Sequence, residues 1–378
     1  MRVFMPSHHE RDRAAGAAGA DLRLAAALEA RGHHVTTYFY QDAFAGPSPR
    51  GVWRQLLFPW RVARHLQRHH RQFDIVDGTA GDLWLARLLL GHRAKLIWVA
   101  RTHGLEHLAV DRERELARAG ELELSWKFPL YHAGYRLWEV ARDLRLADAV
   151  VFHNVEDREY AVNELGVPPK RIHVMHLGVE MPTSSIPVRD DGAWSRLLFA
   201  GSWIPRKGID ALVAATSVLL RESPQVQLTC IGTGVSAAVV HDRFAAELRP
   251  RIAVVPHYEP SELGALMLAH GVFVFPSRYE GFGLALVEAM AHGLVPVASR
   301  TGVAPEIVND GVTGALVDID SPDQIVAAVR GIAGSPESAR RQSAAAATAA
   351  RRYDWAVVAE RREHVYASAR SLAERARL

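Results

Sequence analysis

The chain has 378 residues and a mass of 41.7 kDa, enough for two domains at roughly 100–200 residues each. Hydrophobic residues at 49% and charged residues at 23% exclude a disordered chain, and no run approaches the roughly 18 uninterrupted apolar residues of a membrane span. Net charge is only +3 despite a pI near 9.1, because 41 Arg and 4 Lys are mixed along the chain with 42 acids, whereas nucleic-acid binders concentrate their positive charge.

The chain opens with a short apolar strand over residues 2–6. No charged start, apolar stretch and small-residue cleavage site precede it, so a cytoplasmic protein is expected. A loop follows, then an alanine-rich helix ending at Ala30, and a second strand over 34–40. Residues 50–71 hold six Arg, three His and no acid, with Trp53, Phe58 and Trp60 interleaved. Two readings stand for this stretch: a solvated amphipathic helix pair, or a surface for anionic lipid or an anionic acceptor, with peripheral contact at the inner membrane face. Short apolar strands recur at 75–76, 95–101 and 149–153. Residues 105–147 read as one long, charged, aromatic-dotted helical region. Residues 181–194, with Pro182, Pro187 and an Asp190-Asp191-Gly192 turn, read as an interdomain linker.

The alternation then restarts, with strands expected at 196–200, 225–231, 251–255, 272–276 and 295–299. Helices are expected at 209–221, 261–269 and 284–292, and from Pro305. Strand–helix alternation implies parallel sheets with helices on both faces. The expectation is therefore α/β, two doubly wound Rossmann-like domains facing one another, with the interdomain cleft as the default site. The ranges are 1–181 for the first domain and 195–353 for the second.

The densest chemistry follows the strand at 272–276. A loop carries Glu280, Gly281, Phe282 and Gly283, and a helix begins near Leu284. Glycines let backbone N–H groups approach a ligand, and a helix start favours negative charge. Glu288 lies one turn inside this otherwise apolar helix, where an acid is costly unless it meets a partner such as a ribose diol.

This segment resembles the family-4 glycosyltransferases of the GT-B fold. The two glutamates separated by seven residues, Glu280 and Glu288, stand in the phrase from Glu280 to Gly293. The likeness continues through Thr301-Gly302, Pro305-Glu306-Ile307 and the run from Asn309 to Val317. It implies retaining transfer of a hexosyl unit from a nucleotide diphosphate sugar to a glycan, lipid-linked or small-molecule acceptor hydroxyl, with no metal or other cofactor. Glu280 would hold the sugar hydroxyls and Glu288 the ribose. The Gly281–Leu284 backbone would stabilise charge on the leaving diphosphate. Lys207, in the phrase Gly201-Ser-Trp-Ile-Pro-Arg206-Lys207-Gly208, matches the family's diphosphate-binding lysine. The family's usual arginine position reads Ser202, and Arg206 is the neighbouring cation whose direction the sequence leaves open. Gly16, after Ala15, matches one member of the family's glycine pair near the donor phosphate. His103, at the end of the strand 95–101, matches a histidine facing the donor sugar. The helix from about residue 354 resembles a segment crossing back onto the first domain, which the family uses for the acceptor. Base contacts are expected from Val255-Pro256-His257.

Other patterns carry less. His103-Gly-Leu-Glu106-His107 matches a metalloprotease pattern but follows a strand rather than sitting on one helix. His65 and His69 read as a satisfied pair, and Asp318-Ile-Asp320 before Ser321-Pro322 as a helix cap. Cys230, the single cysteine, reads as a buried thiol. Two alternatives to transfer stay open: a GT-B nucleotide-sugar epimerase, and a non-catalytic nucleotide-sugar-binding relative.

Overall fold

The structure, a computed structural model, describes residues 1–12, 16–44, 51–91, 94–183, 186 and 188–375. Ala15 and Arg50 lie outside the described residues, as does part of the 181–194 stretch. Two compact units emerge. The first is Met1–Gly178 with the C-terminal segment from Trp355, and the second is Val179–Asp354.

The first unit holds a parallel sheet of β1 (Arg2–Pro6), β2 (His34–Tyr38), β3 (Ile75–Thr79), β4 (Ile97–Arg101), β5 (Ala149–Phe152) and β6 (Ile172–Val174). Their order is β2-β1-β3-β4-β5-β6. Val3, Phe4, Ile75, Val76, Val99 and Val150 are fully buried, as strands covered by helices on both faces require. The second unit repeats the design with β7 (Arg196–Ala200), β8 (Gln227–Ile231), β9 (Ile252–Val255), β10 (Val272–Phe275), β11 (Val295–Ser299) and β12 (Ala315–Val317). Their order is β12-β11-β10-β7-β8-β9. Ligands of such sheets bind beyond the carboxyl ends of the strands where the order reverses. Those switch points lie between β1 and β3 in the first unit and between β7 and β10 in the second.

The C-terminal helix Trp355–Arg375 packs along the helix Gly16–Ala30 within the first unit. Its Tyr366 hydroxyl donates to Asp77 Oδ2 on β3 at 2.6 Å. Its Glu363 takes Arg31 Nε at 2.7 Å and meets His33 Nε2 at 2.8 Å.

Two sequence expectations are corrected. The stretch 181–194 is not a free linker at its far end. Trp194 is fully buried in the second unit's core, and Arg189 donates to the carbonyls of His270 (2.6 Å) and His292 (2.8 Å). Residues 105–147 are not one helical region. Helix Glu106–Arg118 ends near Gly120, which is at positive φ, and a turn around Pro129 precedes a π-helical segment, Tyr131–Arg136. The helix Leu137–Leu146 follows directly. Among the described residues, no helix is long and apolar enough to cross a membrane.

Candidate active site

The loops leaving β7 and β10 meet at the second unit's switch point. They carry Arg206 and Lys207 on one side and Glu280 on the other. Glu280 is 6% exposed. Its Oε1 accepts from Ser277 Oγ at 2.9 Å and pairs with the Lys207 ammonium. Arg206 Nη1 donates to the Tyr279 carbonyl at 3.1 Å and lies 3.7 Å from Glu280 Oε2. The direction of Arg206 is thus settled: it converges with Lys207 on one carboxylate. Ser202 is exposed on the same loop.

The backbone fixes this meeting. Arg278 N–H donates to the Arg206 carbonyl at 2.9 Å, stitching the loops together. Gly208, at φ +68°, leaves no room for a side chain, because a Cβ there would stand 1.8 Å from the Pro276 carbonyl oxygen. Gly302, at φ +53°, lies against Glu280 itself, and its Cβ would stand 2.6 Å from the Glu280 backbone carbonyl oxygen and 2.9 Å from the Glu280 Cβ. Only glycine reaches these left-handed angles without a steric penalty.

Phe282 is buried, and Gly283, at φ +91°, occupies the cap position of the helix Leu284–Ala291. Glu288 is half-buried one turn in. Burial, and then the charge of Glu288, push the Tyr258 hydroxyl up from its ordinary value. The Val255–His257 turn sits beside the Gly232-Thr233-Gly234 loop, whose Gly234 N–H donates to the Pro256 carbonyl at 3.1 Å.

In the first unit His103 follows β4. Its Nε2 lies 3.1 Å from Asp21 Oδ1, and its ring meets His9 edge to face with centroids 5.8 Å apart. Asp21 also takes Arg101 Nε at 3.0 Å. Burial alone would push Asp21 up, but the Arg101 guanidinium and then His103 outweigh it and hold the carboxyl well below its usual range. Burial pushes His9 down to about 2, so its imidazole is neutral at physiological pH. Gly16 opens the helix Gly16–Ala30, and a Cβ there would meet no described atom within 4 Å.

Sequence reasoning missed Asp21, Arg101 and the neighbouring group of His8, Asp82 and Arg136, and met Glu106 of that group only within the metalloprotease pattern. Their positions in sequence are scattered, and no short motif joins them. The other patterns resolve plainly. Glu106 begins a helix, whereas His103 stands in the loop before it. His65 stacks on Phe4 with ring centroids 5.0 Å apart. Asp320 takes Arg278 Nε at 2.7 Å, and Asp318 takes Gln324 Nε2 at 2.9 Å. Ser321 stands at the cap of the helix Pro322–Ala333, but the expected cap bond is absent; its hydroxyl donates to the Ile319 carbonyl. Burial pushes the Cys230 thiol up to about 12.

Two doubly wound parallel sheets, with a cation–glutamate loop pair at the switch point of the second, define the GT-B class of glycosyltransferases. The same fold appears in the crystal structure of Anabaena Alr3699/HepE in complex with UDP and glucose. The TM-score is 0.70 at 18% identity, over 97% of this chain and all of that one. Residues 193–349 match the family described as Glycosyl transferases group 1, and residues 16–181 match Glycosyltransferase Family 4. The MMP alpha-(1->4)-mannosyltransferase of Mycolicibacterium hassiacum is 31% identical over 298 residues, 75% of this chain and 67% of that protein. The D-inositol 3-phosphate glycosyltransferase of Streptomyces scabiei is 30% identical over 247 residues, 60% of this chain and 55% of that protein. The match thus spans little more than half the length of the Streptomyces relative. The chain belongs to the family-4 glycosyltransferases.

Proposed function

We propose that the chain transfers a hexosyl unit from a nucleoside diphosphate sugar to an acceptor hydroxyl with retention of anomeric configuration. The observation that carries this reading is the convergence of Arg206 and Lys207 on Glu280 at the second switch point. Breaking the bond between the anomeric carbon and the phosphate oxygen leaves negative charge on the diphosphate and positive character on the sugar. Two cations and a helix start serve the first charge, and a carboxylate serves the second. The acceptor oxygen bonds to the anomeric carbon on the face the phosphate leaves, and its proton passes to the departing phosphate oxygen. In this reading Glu280 holds the sugar, Glu288 the ribose, and the Gly281–Leu284 backbone the diphosphate. Likeness to the family extends the reading to His103 for the sugar and Gly16 for the phosphate.

A thermal-shift screen with UDP, GDP and ADP tests the donor half. A ligand at one hundred times its Kd stabilises by about 2.7 kcal/mol, so one of the three should raise Tm clearly. No shift with any of them would defeat the reading. No metal enters the proposal. Asp318 and Asp320 are committed to Gln324 and Arg278, and the positive charge for the diphosphate comes from side chains. Activity should survive EDTA. A loss above about tenfold, restored by magnesium or manganese, would return those two acids to the site.

The proposal extends to where the acceptor is met. The helix Val52–His69 buries Phe58, Val62, Ala63 and Leu66 on one face. Its outer face runs Trp53, Leu57, Trp60, Arg61, Arg64 and Arg68, with Trp53 69% exposed, and the helix contains no acid. An outward face of tryptophans followed by arginines suits an anionic membrane surface, with the protein peripheral to it.

A further inference from the structure

In the second unit, the cations that the transfer reading gives to a diphosphate are already held by the carboxylate that it gives to the sugar. Lys207 Nζ donates to Glu280 Oε1, and Arg206 Nη1 lies 3.7 Å from Glu280 Oε2. Glu280 Oε1 also accepts from Ser277 Oγ at 2.9 Å, so both lone pairs of that oxygen are taken. The side chains of Glu280 and Lys207 are 8% and 17% exposed, which puts the pair largely out of water. A charge in such a place needs a partner, and taking one partner away leaves the other at a high cost.

A sugar nucleotide carries one negative charge on each of its phosphates. Arg206 and Lys207 can balance that diphosphate or hold Glu280, but not both. A diphosphate set beside a Glu280 still seated between them would meet a like charge. The site is built so that side chains alone need move. The Arg278 N–H on the Arg206 carbonyl, at 2.9 Å, and Gly208 against the Pro276 carbonyl fix the two loops. Lys207, by contrast, ends in a point charge on a flexible four-carbon stem. That stem lies along Gly201, where a Cβ would stand 3.6 Å from Lys207 Cδ and Cε. It can turn its ammonium from a carboxylate to a phosphate oxygen while both loops stay in place. The Ser277 bond depends on neither cation, so Glu280 keeps one partner through the change.

We propose that Glu280 is a built-in counter-ion of the donor site: an incoming diphosphate takes Lys207 and Arg206 from it by ion exchange, and the carboxylate so released is free to accept the sugar hydroxyls. This rests on the glycosyl-transfer reading above and adds an order of events to it. Glu280 therefore works against diphosphate binding, although it serves the transfer that follows. Its removal should strengthen the hold on a diphosphate. A glutamate that only braced the two cations would act in the opposite sense, because its loss would loosen them and weaken the hold.

The test is isothermal titration calorimetry of the full chain with inorganic pyrophosphate, UDP, GDP and ADP, on the parent and on three variants. Glu280→Gln should bind pyrophosphate, and whichever nucleotide the parent binds, at least about tenfold more tightly, the scale of one charge-assisted hydrogen bond. Glu280→Asp keeps the charge but draws it back one methylene from Lys207, so its affinity should lie between the two; it decides the matter alone if Glu280→Gln fails to fold. Asp320→Asn removes a carboxylate that pairs with Arg278 on the same loop and not with Lys207, and should change affinity by less than about threefold. An equal gain from Asp320→Asn, or unchanged or weaker binding in the Glu280 variants, would overturn the inference. With a nucleotide still bound by the parent, the transfer reading would then stand without it. If pyrophosphate binds the Glu280 variants more tightly but no nucleotide binds any form, the exchange stands and the transfer reading falls. If none of the four probes binds any form, both fall.

Discussion

Glu280 and Glu288 are both carboxylates on one loop–helix segment, yet their surroundings differ, and the proposed transfer gives them different work. Glu280 is gripped by Lys207, Ser277 and Arg206 and walled by Gly302, so its position is set before any ligand arrives. Under the proposed transfer, a carboxylate fixed this way acts most where the sugar gains positive character, in the transition state. Glu280→Ala should lower kcat by about 10²-fold or more with a smaller change in KM. Glu288 sits on the helix within electrostatic reach of Tyr258, and under the proposed transfer it holds a ribose that does not change during the reaction. Its loss removes binding equally from ground and transition states, so KM for the donor should rise with kcat near normal. A charge-assisted hydrogen bond is worth about 1.5–3 kcal/mol, which corresponds to about ten- to a hundredfold for Glu288→Ala. Steady-state kinetics on the two variants decide between them; if Glu288→Ala destroys kcat and Glu280→Ala alters only KM, the roles are exchanged. The residues of this half were legible because they crowd into two short phrases, 201–208 and 275–293, whose glycines and charges stand out in the sequence. Their mutual contact was not legible, since Lys207 and Glu280 are joined only by the β7–β10 crossover. Arg136 and Asp82 escaped notice for the same reason, with no phrase at all to mark them.

At the scale of elements, apolar runs bounded by glycine and proline revealed the strands well. Residues 295–299 form β11 at those bounds, and 196–200 form β7. Helical stretches were less legible where charge and aromatics mix without a steady period. Residues 105–147 contain Gly120, Pro129 and Gly134, and the chain breaks into two helices joined through a π-helical segment. The helix Val52–His69 shows the opposite case, a periodicity that carries two messages. One face fills the core with Phe58, Val62 and Leu66, and the other places Trp53 and Trp60 in solvent ahead of three arginines. Each basic side chain near an anionic surface is worth about 1 kcal/mol. Replacing Arg61, Arg64 and Arg68 by Gln should therefore weaken binding to phosphatidylserine vesicles by about a hundredfold. Raising salt from about 0.1 M to 1 M should do likewise, as the Debye length falls from about 10 Å to 3 Å. Cosedimentation measures both. Equal sedimentation of the triple variant and the parent would leave the helix a solvated one.

For the whole molecule, the buried carboxyls of the first unit set how stability responds to pH. Burial, opposed by Arg136, pushes Asp82 up to about 8, and burial pushes Asp143 up to about 8 and Glu139 up to about 7. A carboxyl whose folded value exceeds its unfolded value holds a proton in the native state that the unfolded chain has already lost. Its stabilisation is complete below the unfolded value, near 4, and disappears as pH rises through the folded value. The neutral His8 and His9 work in the other direction, because the unfolded chain takes up their protons below about 6.5. Above that point the histidines contribute no slope, and the carboxyls alone decide its sign. Stability should therefore fall from pH 6.5 to pH 9. Each fully offset proton contributes about 1.4 kcal/mol per pH unit, and shared proximity to Arg136 keeps the total below three such steps. Asp143 offers the clean control. Its Oδ2 accepts the Gly81 and Leu83 N–H groups at 2.8 and 2.9 Å, and Asn retains a carbonyl oxygen for that work while losing the titration. Asp143→Asn should hold its Tm at pH 6.5 and decline less steeply above it, by up to about 1.4 kcal/mol per pH unit in a denaturant titration at each pH. A parent protein whose stability is flat or rising between pH 6.5 and 9, or a variant that follows the parent slope, would mean these carboxyls are ionised in the native fold and that Arg136 and the backbone donors outweigh their burial.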